Sequence, residues 1–294
     1  MGCGGAHNSE QSGSAATGSK GPSESFSGLV GIGNGRKLYM ECRGTGSPTV
    51  VLVSGTQGAF DEWTHAFDSS YRGAEPKAVG WAVFPRVAAM TRVCAYDHPG
   101  TTRLGGGLTP STSVAQPTTA RDGVADLHAL LTAAGEPGPY VLVGASWGGV
   151  IVKLYASTYP EEVVGLVFVD GASDLLKETF TPAQWAGWMQ KIEASASNRR
   201  VSRPRTTSRA SRRSSLRPRC RGCRRSCSPR RCRGISRLAE GPPGRAWLQA
   251  QDRLATEFGA KHITNTHSGH PIALEQPQLV IDAIRAVVDE VRSQ

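Results

Sequence analysis

Apolar residues along this chain follow two different spacings. Thr49–Val53, Arg92–Tyr96, Tyr140–Val143 and Val163–Val169 are short runs with no helical period, as expected of strands buried on both faces. Lys37–Cys42 alternates instead, in the manner of an early antiparallel strand. Elsewhere the spacing changes to three and four. Thr119–Ala134 places Val124, Leu127, Leu130 and Leu131 on one side, and Gly135 closes it. Val150–Ala156 continues as a helix until Pro160 stops it. Thr181 and Pro182 open another through about Ala196, with threonine as N-cap and proline at the first helical position. Trp185, Trp188, Met189 and Ile192 give that helix the apolar face of a lid over a pocket. Near the end, Trp247–Phe258 reads as a helix, His262–Thr264 as a short strand and Pro277–Val291 as a final amphipathic helix. Strands alternating with helices predict an α/β fold, a mostly parallel twisted sheet with helices on both faces and a small helical lid.

Composition adds a size and an anomaly. The 294 residues can bury a large core as one domain with a lid at about 171–198. No stretch approaches the roughly 20 apolar residues that span a bilayer. The net charge of +10 is concentrated in one place: Arg199 to Leu238 holds 16 arginines and no acid, while the remaining 18 Lys and Arg face 24 acids, a net −6. An acidic body gives no ground to expect a nucleic-acid partner. Four of the seven cysteines (Cys220, Cys223, Cys227, Cys232) share the basic segment, and Cys3, Cys42 and Cys94 are scattered, suggesting no disulfide framework. Residues 1–27 are Ser/Gly-rich and expected to be a disordered tether, leaving 28–294 as the folded domain. Cys3 followed by small residues resembles the mature end of a bacterial lipoprotein, yet no charged n-region or apolar h-region precedes it. The expectation is therefore a cytoplasmic protein as the chain is written. A membrane tether through Cys3, with a place in the cell envelope, needs a signal upstream. Myristoylation is disfavoured because Ala6 stands where Ser or Thr is required.

The chemistry is concentrated at Gly144-Ala145-Ser146-Trp147-Gly148, between an apolar strand and a helix. A serine on a tight strand-to-helix turn, with glycines two residues either side, is the nucleophile elbow of an acyl-transfer enzyme. The flanking glycines relieve clashes that side chains would make in so sharp a turn. Three further motifs follow the same order as in a known family. Val53-Ser54-Gly55-Thr56 follows a strand, with Ser54 where histidine is usual; Tyr96-Asp97-His98-Pro99-Gly100 forms a turn after the next; and Ser268-Gly269-His270 precedes Glu275-Gln276-Pro277 and the last helix. From about Leu29 to Val291, Arg199–Arg245 excepted, the chain resembles the α/β-hydrolase family.

That resemblance implies Ser146 as nucleophile, His270 as base and then acid, and the backbone N–H groups of Thr56 and Trp147 as oxyanion hole. His262 and His267 are rivals to His270; Asp97 reads as a turn residue, and His98 and His65 as pocket-rim or surface residues. No cofactor and no metal are called for, and the partner is a small acyl substrate. A peptidase or amidase on the same scaffold and a defective hydrolase-fold protein are the alternatives.

The triad acid is the difficulty. The family normally places it after the seventh strand, and here that stretch is Arg/Ser/Cys-rich with no strand legible in it. Arg199–Leu238 lacks Asp, Glu, Phe, Tyr and Trp, too little to offset its ordering entropy. A basic arm and a zinc knuckle at Cys220, Cys223, Cys227 and Cys232 are two readings, the second against unfavourable charge. A shifted reading frame over about 199–245 is the third and the one favoured. Cys and TCN Ser codons force a middle T in the overlapping codon, so the neighbouring frame of Cys220–Ile235 permits, as one allowed decoding, a Val-Val-Leu run followed by a carboxylate. A resequenced gene with no compensating pair of frame changes would refute it. In the chain as written Asp170, at the tip of the sixth strand, is the substitute acid, ahead of Glu240 and Asp252.

Overall fold

The computed structural model describes Met1 and residues 25–56, 58–68, 75–116, 118–197, 231–236 and 241–294. Cys3, Cys220, Cys223, Cys227 and Glu240 lie outside the described residues. In chain order the strands are β1 (Ser25–Gly33), β2 (Arg36–Arg43), β3 (Thr49–Val53), the short β4 (His65–Ala66) and β5 (Lys77–Ala78), β6 (Val93–Tyr96), β7 (Tyr140–Ala145), β8 (Val163–Val169), β9 (Cys232–Ile235) and β10 (Lys261–Ile263). The helices are α1 (Val83–Ala88), α2 (Ala120–Ala134), α3 (Trp147–Thr158), α4 (Leu176–Thr179), α5 (Pro182–Ser197), α6 (Gly241–Phe258), α7 (Ile272–Glu275) and α8 (Pro277–Arg292).

Eight strands form one sheet in the order β1-β2-β6-β3-β7-β8-β9-β10. β2 runs antiparallel to β1 and β6, and every pair from β6 to β10 is parallel. The period of two in each strand sorts its residues between two cores. Val51, Val53, Leu142, Leu166 and Phe168 meet α2, α3 and the Leu254 and Phe258 end of α6. Val50, Leu52, Val141, Val143 and Val167 meet α1 and α8. Burying each such side chain contributes about 1.5–3 kcal/mol. The predicted mostly parallel sheet with helices on both faces is therefore the fold observed. Among the described residues, no helix is long and apolar enough to cross a membrane.

Three expectations need correction. First, the sheet's seventh position is filled. β9 pairs parallel with β8 (Leu166↔Cys232 to Val169↔Ile235) and with β10. Cys-Arg-Gly-Ile has weak strand character, but the open edge of β8 offers a full ladder of backbone partners, and Cys232 and Ile235 are fully buried on opposite faces. Second, Cys42 and Cys94 form a disulfide, because antiparallel β2 and β6 set them directly opposite each other across 52 residues of sequence. Cys232 is also disulfide-bonded. Third, β1 pairs with β2 from Ser25 onward, ahead of the boundary expected at residue 28.

Candidate active site

Parallel strands bring their C-terminal ends to one edge of the sheet, and the loops that leave this edge build the site. β3 leads into Ser54–Thr56, β7 into Ser146 and β8 into Asp170, while the loop after β10 carries His270. Ser146 is held at φ 49°, ψ −119°, a conformation non-glycine residues rarely adopt. Backbone bonds enforce it: Ser146 N–H donates to Val169 C=O at 3.2 Å, and Ser146 C=O accepts from Gly149 at 2.9 Å and Ala172 at 2.7 Å. The neighbouring glycines are required by contact. A Cβ at Gly148 would lie 2.2 Å from the Val53 carbonyl oxygen, and one at Gly144 would lie 2.6 Å from that of Gly148. α3 can therefore pack onto β3 only without side chains at these positions.

Ser146, His270 and Asp170 are brought together. His270 Nε2 is 2.9 Å from Ser146 Oγ, and His270 Nδ1 is 2.5 Å from Asp170 Oδ2. Asp170 is fully buried at φ +44°, its N–H donating to Ile235 C=O at 2.6 Å, so β9 helps to fix the turn that aims this carboxylate. The His270 ring is 42% exposed and its loop is tied down from below by Glu275, whose Oε2 accepts from Gly269 N–H at 2.6 Å. A hydroxyl, an imidazole and a buried carboxylate in series can move a proton off the serine and hold the resulting imidazolium. A cavity of about 380 Å³ opens beside them, lined by Thr56, Ser146, His270, Glu62 and others. Trp147 is the first residue of α3, where backbone N–H groups have no intrahelical acceptor and the helix end favours negative charge.

Several functional neighbours had no signal in the sequence. The Trp247 indole N–H donates to Asp170 Oδ1 at 2.7 Å, and its ring stands edge-on to His270 at 5.9 Å. It comes from α6, which begins at Gly241 rather than at Trp247 as the spacing suggested. The aromatic face of α5 packs on this same tryptophan through Trp188, with Phe180 and Leu176 beneath. Among the described side chains, none of residues 171–190 lines this cavity, and the described part of α5 packs on the tryptophan that bonds Asp170.

His98 also departs from expectation. It is buried, not on a rim, and its Nε2 lies 3.1 Å from the Ser54 carbonyl oxygen. Ser54 itself accepts from the Trp63 indole at 2.8 Å and donates to Ala59 C=O at 2.9 Å, so serine in the usual histidine position holds the loop by other bonds. Asp97 is a loop-holding residue as read, accepting from Phe60 N–H at 2.9 Å, Arg103 Nε at 3.0 Å and the Thr109 hydroxyl at 2.6 Å. His65 lies against its own turn, Nδ1 2.9 Å from Asp61 C=O.

A second Ser-His-Asp series exists: His262 is 2.6 Å from Ser236 Oγ and 2.6 Å from Asp252 Oδ1. Ser236 is fully buried and none of the three lines the cavity, so this series braces β9, β10 and α6. His267 lies in the loop ahead of His270, at φ 50°. Among the described residues, Cys42, Cys94 and Glu136 are the one close group of metal-ligating types, and the two cysteines are spent in their disulfide.

Known proteins share this architecture. Over 148 residues the chain is 31% identical to an uncharacterized protein, C23C11.06c, of Schizosaccharomyces pombe (strain 972 / ATCC 24843); the match takes in 47% of this chain and spans only 26% of that protein's length. Carboxylesterase CesB (YbfK) from Bacillus subtilis superposes with a TM-score of 0.58 at 14% identity, covering 90% of this chain and 92% of its own. Alpha/beta hydrolase domain-containing protein 10 from mouse gives 0.58 at 15% identity, covering 90% and 99%. These likenesses are of fold. Residues 50–283 match the model of the Alpha/beta hydrolase family, and with its sheet order and elbow the chain belongs to that family.

Proposed function

We propose that this chain is a serine hydrolase that cleaves a carboxylic ester or related acyl substrate through an acyl-enzyme on Ser146. The observation that carries the reading is the hydrogen-bond series from Ser146 Oγ through His270 to buried Asp170, at the wall of a cavity. His270 Nε2 takes the serine proton as Oγ bonds to the carbonyl carbon. The N–H groups of Trp147 and Thr56 receive the developing oxyanion; losing one such donor typically costs about 2.7–4 kcal/mol. His270 then passes its proton to the leaving alcohol, and water repeats the sequence to release the acid. Asp170 keeps the imidazole in the tautomer with its proton on Nδ1 and stabilises the imidazolium. Every step uses the chain's own groups.

The alternative of a defective hydrolase-fold protein rested on a missing seventh strand and acid. β9 occupies that strand position, and Asp170 offers a carboxylate from the strand before it. The name of the B. subtilis neighbour, a carboxylesterase, favours an ester over an amide. Purified protein assayed against p-nitrophenyl esters and amino-acyl arylamides tests this: ester turnover abolished by Ser146→Ala is expected. Arylamide turnover alone would support the peptidase reading.

A further inference from the structure

The acyl-transfer steps leave one acidic side chain beside the nucleophile without a task. Glu62 belongs to the 3-10 turn Phe60–Trp63 that follows the Ser54–Thr56 loop, and it lines the same cavity as Ser146 and His270. Its Oε2 accepts from Gly55 N–H at 3.3 Å. Gly55 in turn lies against the nucleophile, since a Cβ there would sit 3.1 Å from Ser146 Cβ. The opposite wall is equally close: a Cβ at Gly58 would fall 2.9 Å from Glu62 Oε2 and 2.6 Å from Ser54 Cβ. Glycine at 58 thus makes room for this carboxyl, and glycine at 55 lets the backbone that it anchors lie against the serine.

Among the described residues, neither Lys nor Arg lines the cavity. Arg103, the nearest arginine in sequence to a lining residue, is engaged by Asp97. Asp61 adds a second carboxyl, but its Oδ2 accepts from Leu104 N–H at 2.7 Å and so serves the loop at the cavity mouth. Burial pushes the Glu62 carboxyl up, and the Gly55 N–H, the Ser54 hydroxyl and His270 oppose it. An acceptor anchored on the Gly55 N–H beside Ser146 needs no reorganisation to meet a cation, whereas a substrate carboxylate would meet further carboxyl oxygens there.

Resting on the serine-hydrolase reading, we propose that Glu62 is a specificity-determining residue: it selects acyl substrates that carry an ammonium or similar cationic group close to the scissile carbonyl, and it disfavours those carrying a carboxylate. Isosteric pairs test this on the full chain. One pair places the charge on the acyl side, as p-nitrophenyl esters of a trimethylammonio-alkanoate and of its tert-butyl carbon isostere. The other places it on the leaving group, as butyrylthiocholine and its tert-butyl isostere.

In at least one pair kcat/KM is expected to favour the cation by about tenfold or more. Glu62→Gln should reduce that ratio to about twofold or less, while Glu62→Asp, which keeps the charge, retains part of it. Equal rates within both pairs for the wild type, or a preference that survives Glu62→Gln, would overturn the proposal. Should Glu62→Gln not fold, Glu62→Ala takes its place, with the same loss of preference expected, and equal wild-type rates still overturn the proposal. Turnover of the neutral esters, lost in Ser146→Ala, reports separately on the underlying reading; without any turnover or any fluorophosphonate adduct on Ser146, both readings fall together.

Discussion

A carboxylate at a strand end, fully buried and at φ +44°, must be held by donors or its desolvation is uncompensated. For Asp170 two of them are the His270 ring at 2.5 Å and the Trp247 indole at 2.7 Å. Asp170→Asn should preserve the fold and lower kcat by about 10⁴-fold, because the amide favours the wrong imidazole tautomer. Trp247→Phe keeps the ring packing and removes one hydrogen bond to a charged group, about 1.5–3 kcal/mol, so kcat should drop about 10- to 100-fold with KM little changed. Stopped-flow or steady-state assays on a neutral ester read both. His98 gives a pH signature. Burial lowers its pKa below the ordinary 6.5, against the opposing pull of the Ser54 carbonyl and the Asp97 and Asp126 charges. Below that ordinary value the unfolded chain binds more protons than the folded one, so stability falls as pH drops from 6.5 toward the depressed folded value. His98→Gln should flatten that part of a thermal-midpoint profile. Of these residues, Ser146 and His270 were legible because a local motif surrounds each. Trp247 and Glu62 were not, since their partners lie 77 and 7 residues away along the chain and no spacing rule links them.

At the scale of elements, legibility followed the strength of the local pattern. β3, β7 and β8 are β-branched runs that can only be buried strands, and α2 carries its own capping box at Thr119 and Asp122. β9 is the opposite case. Nothing in Cys232-Arg233-Gly234-Ile235 marks a strand, and its place is given by the neighbours β8 and β10. The shifted-frame reading of about 199–245 and a genuine β9 differ little in what the sheet demands there, namely a strand that covers β8. Ile235 is fully buried in the α8-side core, so Ile235→Ala should cost about 2–5 kcal/mol in a denaturant titration if β9 is part of the cooperative fold. A change within about ±0.5 kcal/mol, as for a surface site, would remove β9 from that unit.

Across the whole molecule, the Cys42–Cys94 bridge ties the antiparallel edge of the sheet to its parallel centre. Spacing could not reveal it, because the pairing exists only once β2 lies beside β6. Closing 52 residues removes unfolded-state entropy worth about 4 kcal/mol, so reduction under native conditions should lower the thermal midpoint by several degrees, as calorimetry with and without reductant would show. On the proposed reading, activity depends on Ser146, His270 and Asp170 forming one series. Reaction with a fluorophosphonate, followed by peptide mass spectrometry, tests that most directly. A single adduct on Ser146 is expected, absent in Ser146→Ala and much slower in Asp170→Asn. Well-folded protein that gives no adduct at Ser146, or an adduct on another serine such as Ser236, would contradict it.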